Sequence, residues 1–153
     1  AGWIAGFGQT VFHRRGSHDS ATGVATVMAQ RLREGSRVAI FPEGGILPGD
    51  GIKRFHARMF AAALDTDTPV QPVMIRYQRE GRHEPGMTFL PGESFMSNFF
   101  RLLGQKPCLA ELAILPLIEV AGMQRKELAF AAEHAIRGAY MLDIMEDSSE
   151  SSL

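Results

Sequence analysis

The stretch Val38-Ala39-Ile40-Phe41-Pro42-Glu43-Gly44-Gly45 decides how the rest of the chain is read. Its first four residues are apolar and three of them are β-branched or aromatic, which predicts a short buried strand over residues 38–42. Pro42 then ends the ladder, and Glu43 with its two glycines forms the turn that follows. Upstream, Val24, Val27, Met28 and Leu32 recur at the spacing of one helix face, and Gly35 stands where a helix would end. Thr10-Val11-Phe12 reads as an earlier strand by β-propensity. Strand, helix and strand in that order imply a parallel pair. A buried strand opening into an acidic, glycine-bearing loop ahead of a helix is where open α/β sheets hold ligands. Glycine lets a ligand approach the backbone, and the next helix turns its amide hydrogens toward an anion.

Downstream, Phe55, Met59, Ala62 and Ala63 mark a second helix that ends in the turn-rich residues 65–69. Residues 70–77 read as a third strand, with Pro72 at an edge or bulge because it cannot donate to a ladder. Residues 78–86 read as a charged surface loop and residues 87–90 as a short strand. Ser94 is placed to cap a helix carrying Phe95, Phe99, Leu102 and Leu103, closed by Gly104. Residues 108–120 read as one long or bulged strand, and Leu128, Ala132, Ala135, Ile136 and Ala139 as a last amphipathic helix.

Composition narrows the class. The 153 residues, 45% hydrophobic and 22% charged, suit one globular domain, expected over residues 1–142. Residues 143–153 are acidic and serine-rich and are expected to be a disordered tail. A net charge of −1 gives no bulk basic character to argue for nucleic acid. The single Cys108 excludes an internal disulfide and fits a reducing compartment. No apolar run approaches the roughly 18 residues of a membrane-spanning helix. The opening Ala1-Gly2-Trp3-Ile4 starts in mid-pattern, so the chain is expected to be a fragment of something longer.

Phe41-Pro42-Glu43-Gly44 resembles the FPEG signature of the PlsC-like glycerolphosphate and lysophosphatidate acyltransferases. Gly8-Gln9-Thr10-Val11-Phe12-His13-Arg14-Arg15 resembles the second block of that family, an apolar strand ending in arginine. Val70-Gln71-Pro72-Val73-Met74-Ile75 resembles its fourth, and one helix-length segment separates each block from the next. The resemblance implies an α/β fold, a mostly parallel or mixed sheet flanked by helices, lacking the family's N-terminal part. It implies O-acyl transfer from acyl-CoA or acyl-carrier protein to a lysophospholipid such as 1-acylglycerol 3-phosphate. The acceptor hydroxyl would attack directly, with no cofactor, no metal and no nucleic acid involved. The implied location is the cytoplasmic face of a membrane, reached peripherally or through a segment before Ala1.

Such a transfer needs a base, donors for the tetrahedral oxyanion and positive groups for any phosphate. PlsC-like enzymes use a histidine followed five positions later by an aspartate. Here His13, His18, His56, His83 and His134 are followed at that spacing by His18, Gly23, Ala61, Thr88 and Ala139. The catalytic pair is therefore expected before Ala1, and the chain alone is expected to be inactive. The resemblance assigns Arg14 to the acceptor's phosphate, and Phe41, Pro42, Glu43, Gly44 and Gly45 to acceptor binding. Where the family continues with Thr-Arg-Ser, this chain has Gly45-Ile46-Leu47, which removes a cation from the loop. Lys53 or Arg54 would replace it, or simply begin the next helix in solvent. The apolar cluster Phe95, Met96, Phe99, Phe100, Leu102 and Leu103 reads as a core helix in preference to a bilayer-dipping one. Gly92-Glu93-Ser94-Phe95-Met96 lacks the final glycine of a nucleophile elbow, and one cysteine cannot build a zinc site. A second class remains open: a non-catalytic α/β module holding an anionic lipid or phosphate at Glu43.

Overall fold

In the computed structural model, which describes residues 18–44, 52–87, 89–90 and 92–150, helix α1 (His18–Arg33) comes first. It buries Met28 and Ala29 against Ala62, with Val24, Leu32, Val38 and Ile40 packed around them. Gly35 ends it at φ +77°, where a side chain would be strained, and the Ser36 amide returns to the Arg31 carbonyl at 2.9 Å. A 3₁₀ turn (Ala57–Phe60) then leads into the short helix α2 (Ala61–Asp65). Strands β1 (Val73–Arg79), β2 (Arg82–His83) and β3 (Leu109–Ile114) follow, with helix α3 (Phe95–Leu103) between the last two. Helix α4 (Arg125–Glu150) closes the order.

The sheet differs from the expected one. Its order is β2-β1-β3 and both pairings are antiparallel, with Val73 opposite Ile114 and Gln78 opposite Leu109. The expected parallel pair joined residues 10–12 to residues 38–42. The first of these lies outside the described residues, and the second is not a strand. Val38 and Ile40 are turned toward the core, but residues 38–41 join no ladder among the described residues and Phe41 is 79% exposed. An apolar run sets which side chains face inward; strand formation also needs a partner for its backbone.

The third strand forms with shifted bounds and in the middle of the sheet, not at its edge. Val70 bridges Ile118, Pro72 interrupts, and β1 begins at Val73. The same interruption breaks the expected long strand over residues 108–120 into β3 and that bridge. The charged loop over residues 78–86 is instead a tight hairpin: Arg79 pairs Arg82 across Glu80 and Gly81, both at positive φ (55° and 76°). Of the expected strand over residues 87–90, Met87 ends the 3₁₀ turn Pro85–Met87 and residues 89–90 are not in a strand, while residue 88 lies outside the described residues. α4 runs on to Glu150, so residues 143–150 of the expected tail are helical.

Ser94 caps α3 as its position predicts, accepting the Ser97 amide at 3.2 Å. The orientation of that helix overturns the core reading. Met96, Phe99, Phe100 and Leu103 face outward, while Asn98 is buried. Arg101 grips both oxygens of Glu93 at 2.8 and 3.0 Å and donates to the Gly86 carbonyl at 2.6 Å. Arg101 foremost, with the Leu90 amide, holds the Glu93 carboxyl down from 4.5 to about 2. The outer faces of β1 and β3 are likewise apolar and open, through Val73, Ile75, Leu112 and Ile114.

The main core joins α4 to the segment that follows the glycine loop. Leu128, Ala129 and Ala132 pack on Phe55, Phe60 and Val120, and the Phe55 and Phe60 rings stack with centroids 6.4 Å apart. Leu128 is wholly buried. Leu128→Ala is expected to cost about 2–5 kcal/mol by denaturant unfolding, against about 0.5 or less for exposed Lys126→Ala.

Candidate functional site

The loop residues Pro42, Glu43 and Gly44 are held by the segment over residues 52–56. The His56 amide donates to the Pro42 carbonyl at 2.9 Å, and the Lys53 amide donates to Glu43 Oε2 at 2.9 Å. Gly44 sits at φ +66°, and a Cβ added there would lie 2.6 Å from both Cδ2 and Nε2 of His56. Glycine is favoured there by the backbone conformation, while the imidazole resting on it is the end of an exposed side chain that can move aside.

The same segment is held from its other end by α4. The Phe55 amide donates to Glu133 Oε2 at 2.9 Å, and Arg137 Nε donates to Glu133 Oε1 at 2.9 Å. Arg137 also donates to the Ile52 carbonyl. The Phe55 amide foremost, then Arg137, lowers the Glu133 carboxyl below the usual carboxylate range against its partial burial. Two amides two residues apart are thus claimed by two carboxylates, Glu43 from the loop and Glu133 from the helix.

Of the residues read as acceptor-binding, Phe41 is exposed, Pro42 and Glu43 are half-buried, and Gly44 is exposed. Arg14 and Gly45 lie outside the described residues, as does any approach of Arg14 to Glu43. Lys53 reaches the motif through its main chain, while Arg54 is exposed. His56 joins the site without having been singled out; its position beside an invading glycine is a contact that no local pattern encodes. Ser94 is accounted for by its cap. Glu43 accepts the Lys53 amide, and the His56 ring lies against Gly44 one residue further on.

The comparisons support a PlsC-like acyltransferase family for this chain: the family model described as Acyltransferase matches residues 1–76, the part that contains all three sequence blocks. Its relatives narrow the class. It is 36% identical over 137 residues to lyso-ornithine lipid O-acyltransferase of Pseudomonas aeruginosa, covering 90% of this chain and 53% of the relative. The Rhodobacter capsulatus protein of the same name is 30% identical over 143 residues, 89% of this chain and 51% of its own length. The 1-acyl-sn-glycerol-3-phosphate acyltransferase of Neisseria gonorrhoeae is 32% identical over 71 residues, 46% of this chain and 28% of that protein. The chain thus spans about half the length of the lyso-ornithine lipid enzymes it matches. No solved structure matches it.

Gly44→Ala is expected to displace the His56 ring and cost about 1–3 kcal/mol, seen as a shifted His56 imidazole resonance and a lower unfolding midpoint. Glu133→Ala is expected to speed hydrogen exchange at the Phe55 amide and cost about 1–3 kcal/mol at neutral pH. Because folding lowers the Glu133 and Glu93 pKa values, their contribution is full above the unfolded value of roughly 4.3 and is lost as pH falls through the folded ones. Stability should therefore drop below about pH 4.5, with a shallower slope in Glu133→Ala.

Proposed function

We propose that the protein is an O-acyltransferase of membrane-lipid synthesis whose acceptor is a lysolipid, with lyso-ornithine lipid favoured over 1-acylglycerol 3-phosphate. The supporting observation is the reach of the similarity. It runs through 90% of the chain for the lyso-ornithine lipid enzyme and stops at 46% for the glycerol-phosphate enzyme. The loop agrees with this choice. Gly45-Ile46-Leu47 lacks the cation that the family pattern carries after its signature, while the Glu43 carboxylate is retained. A loop with a carboxylate and no added cation suits an amine-bearing headgroup better than a bare phosphate monoester.

The acceptor hydroxyl attacks the thioester carbonyl of an acyl-CoA or acyl-carrier-protein donor. The new C–O bond forms, the C–S bond breaks, and the hydroxyl proton passes to a base as the thiol leaves. No histidine of this chain has an aspartate five residues on, so the base is assigned to the protein outside these 153 residues. The chain supplies the acceptor side through the Phe41–Pro42–Glu43–Gly44 loop and through Arg14, whose guanidinium would pair an ornithine carboxylate where a glycerol-phosphate acceptor offers its phosphate. A lipid acceptor argues for work at a membrane surface, and a soluble thioester donor for its cytoplasmic face.

Purified full-length protein is expected to acylate lyso-ornithine lipid at least about tenfold faster than 1-acylglycerol 3-phosphate with either donor; the opposite ranking overturns the assignment. Arg14→Ala and Glu43→Ala are each expected to lower kcat/KM by roughly 100-fold, and the 153-residue chain alone to show no transfer.

A further inference from the structure

We infer that α3 is a membrane-contact element whose apolar stripe lies in the interface of a lipid bilayer. Met96, Phe99, Phe100 and Leu103 form one stripe at helical spacing, and they are 53%, 46%, 64% and 66% exposed. A surface helix ordinarily turns such a stripe into the core. α3 does the reverse. Its polar side points inward, with Asn98 and Arg101 both bound to Glu93. The Arg101 and Glu93 side chains keep only 22% and 7% of their surface in solvent, so the inverted setting is fixed by a largely sequestered, two-pronged ion pair.

The border of the stripe favours a bilayer as occupant. Lys106, one further turn along, is 80% exposed at its end. The β1–β2 hairpin tip adjoins that end, through Arg79 to Gln105 at 3.1 Å and Lys106 to Glu80 at 3.6 Å. There Arg79 pairs with Glu84 at 3.0 Å and Lys106 with Glu80, and exposed Arg82 leaves a net charge of one positive, a balance that complements anionic headgroups. The helix is about 14 Å long and, among the described residues, no helix is long and apolar enough to cross a membrane; α3 lies on the surface. The choice of a bilayer rests on the lipid-acylating reading, since that acceptor resides in one.

The test uses full-length protein in which Trp3 and any tryptophan outside these 153 residues are replaced by Phe, with Phe100→Trp as reporter. The probe is vesicles of phosphatidylcholine with about one-third phosphatidylglycerol, with or without brominated acyl chains. The expected result is a blue shift on vesicle addition and quenching by the bromolipid. Phe100→Ser/Leu103→Ser is expected to lower the vesicle-bound fraction by about tenfold with its thermal melt little changed, because those two side chains are 64% and 66% exposed. Lys106→Glu should weaken binding to these vesicles but not to pure phosphatidylcholine. A reporter that is blue-shifted and iodide-shielded before vesicles are added shows that protein covers the stripe, and overturns the inference. So does a vesicle-bound reporter that bromolipid does not quench. Acceptor dispersed in detergent separates the two readings. Absence of transfer there overturns the proposed function and leaves the quenching result standing, whereas failed quenching with intact transfer overturns only the membrane contact.

Discussion

Glu133 accepting the main-chain hydrogen of Phe55 is the contact on which the site depends. It joins residues 78 apart in sequence and fixes the height at which the returning segment crosses α4. A hydrogen bond from an amide to a charged group contributes about 1.5–3 kcal/mol, against about 0–1 for an exposed ion pair. The amide contact therefore outweighs the neighbouring Arg137 pair, whose guanidinium is 45% exposed. With Phe55 held, its ring fills the core against Leu128, and Lys53 and His56 fall in line beneath Glu43 and Pro42. The acidic loop is thus set by a helix far from it in the chain.

The second part of the chain repeats the device with different partners. Glu93 gathers the Leu90 amide, the Asn98 amide group and the Arg101 guanidinium. That single carboxylate fixes which way α3 rolls. In both places a carboxylate with several donors sets a helix's position, and apolar contact fills in around it. The difference lies in what is left over: around Glu133 the apolar groups are buried, and around Glu93 they are turned out.

Periodicity made some of this legible. The α1 stripe, its Gly35 terminator, the Ser94 cap and the Pro72 interruption each rest on local chemistry, and each stands where the pattern puts it. The signature loop was legible through four letters and its neighbours, and the family match over residues 1–76 bears that out. What failed needed knowledge of a distant partner. Residues 38–41 have the composition of a strand but no ladder among the described residues. The stripe of α3 shows which residues share a face, while its direction is set by Glu93, outside the helix. His56 and Glu133 reach the site through folding alone, and no spacing rule connects them to Glu43.

β3 stands at the margin of the three-stranded sheet among the described residues, with Leu109, Leu112 and Ile114 largely in solvent. A flat, greasy margin with unpaired amides and carbonyls is a template on which like strands stack. During synthesis this makes the chain a natural client for holdase chaperones until that margin is sheathed. Overproduction without such a sheath would send it into inclusion bodies for a reason unrelated to its catalytic chemistry.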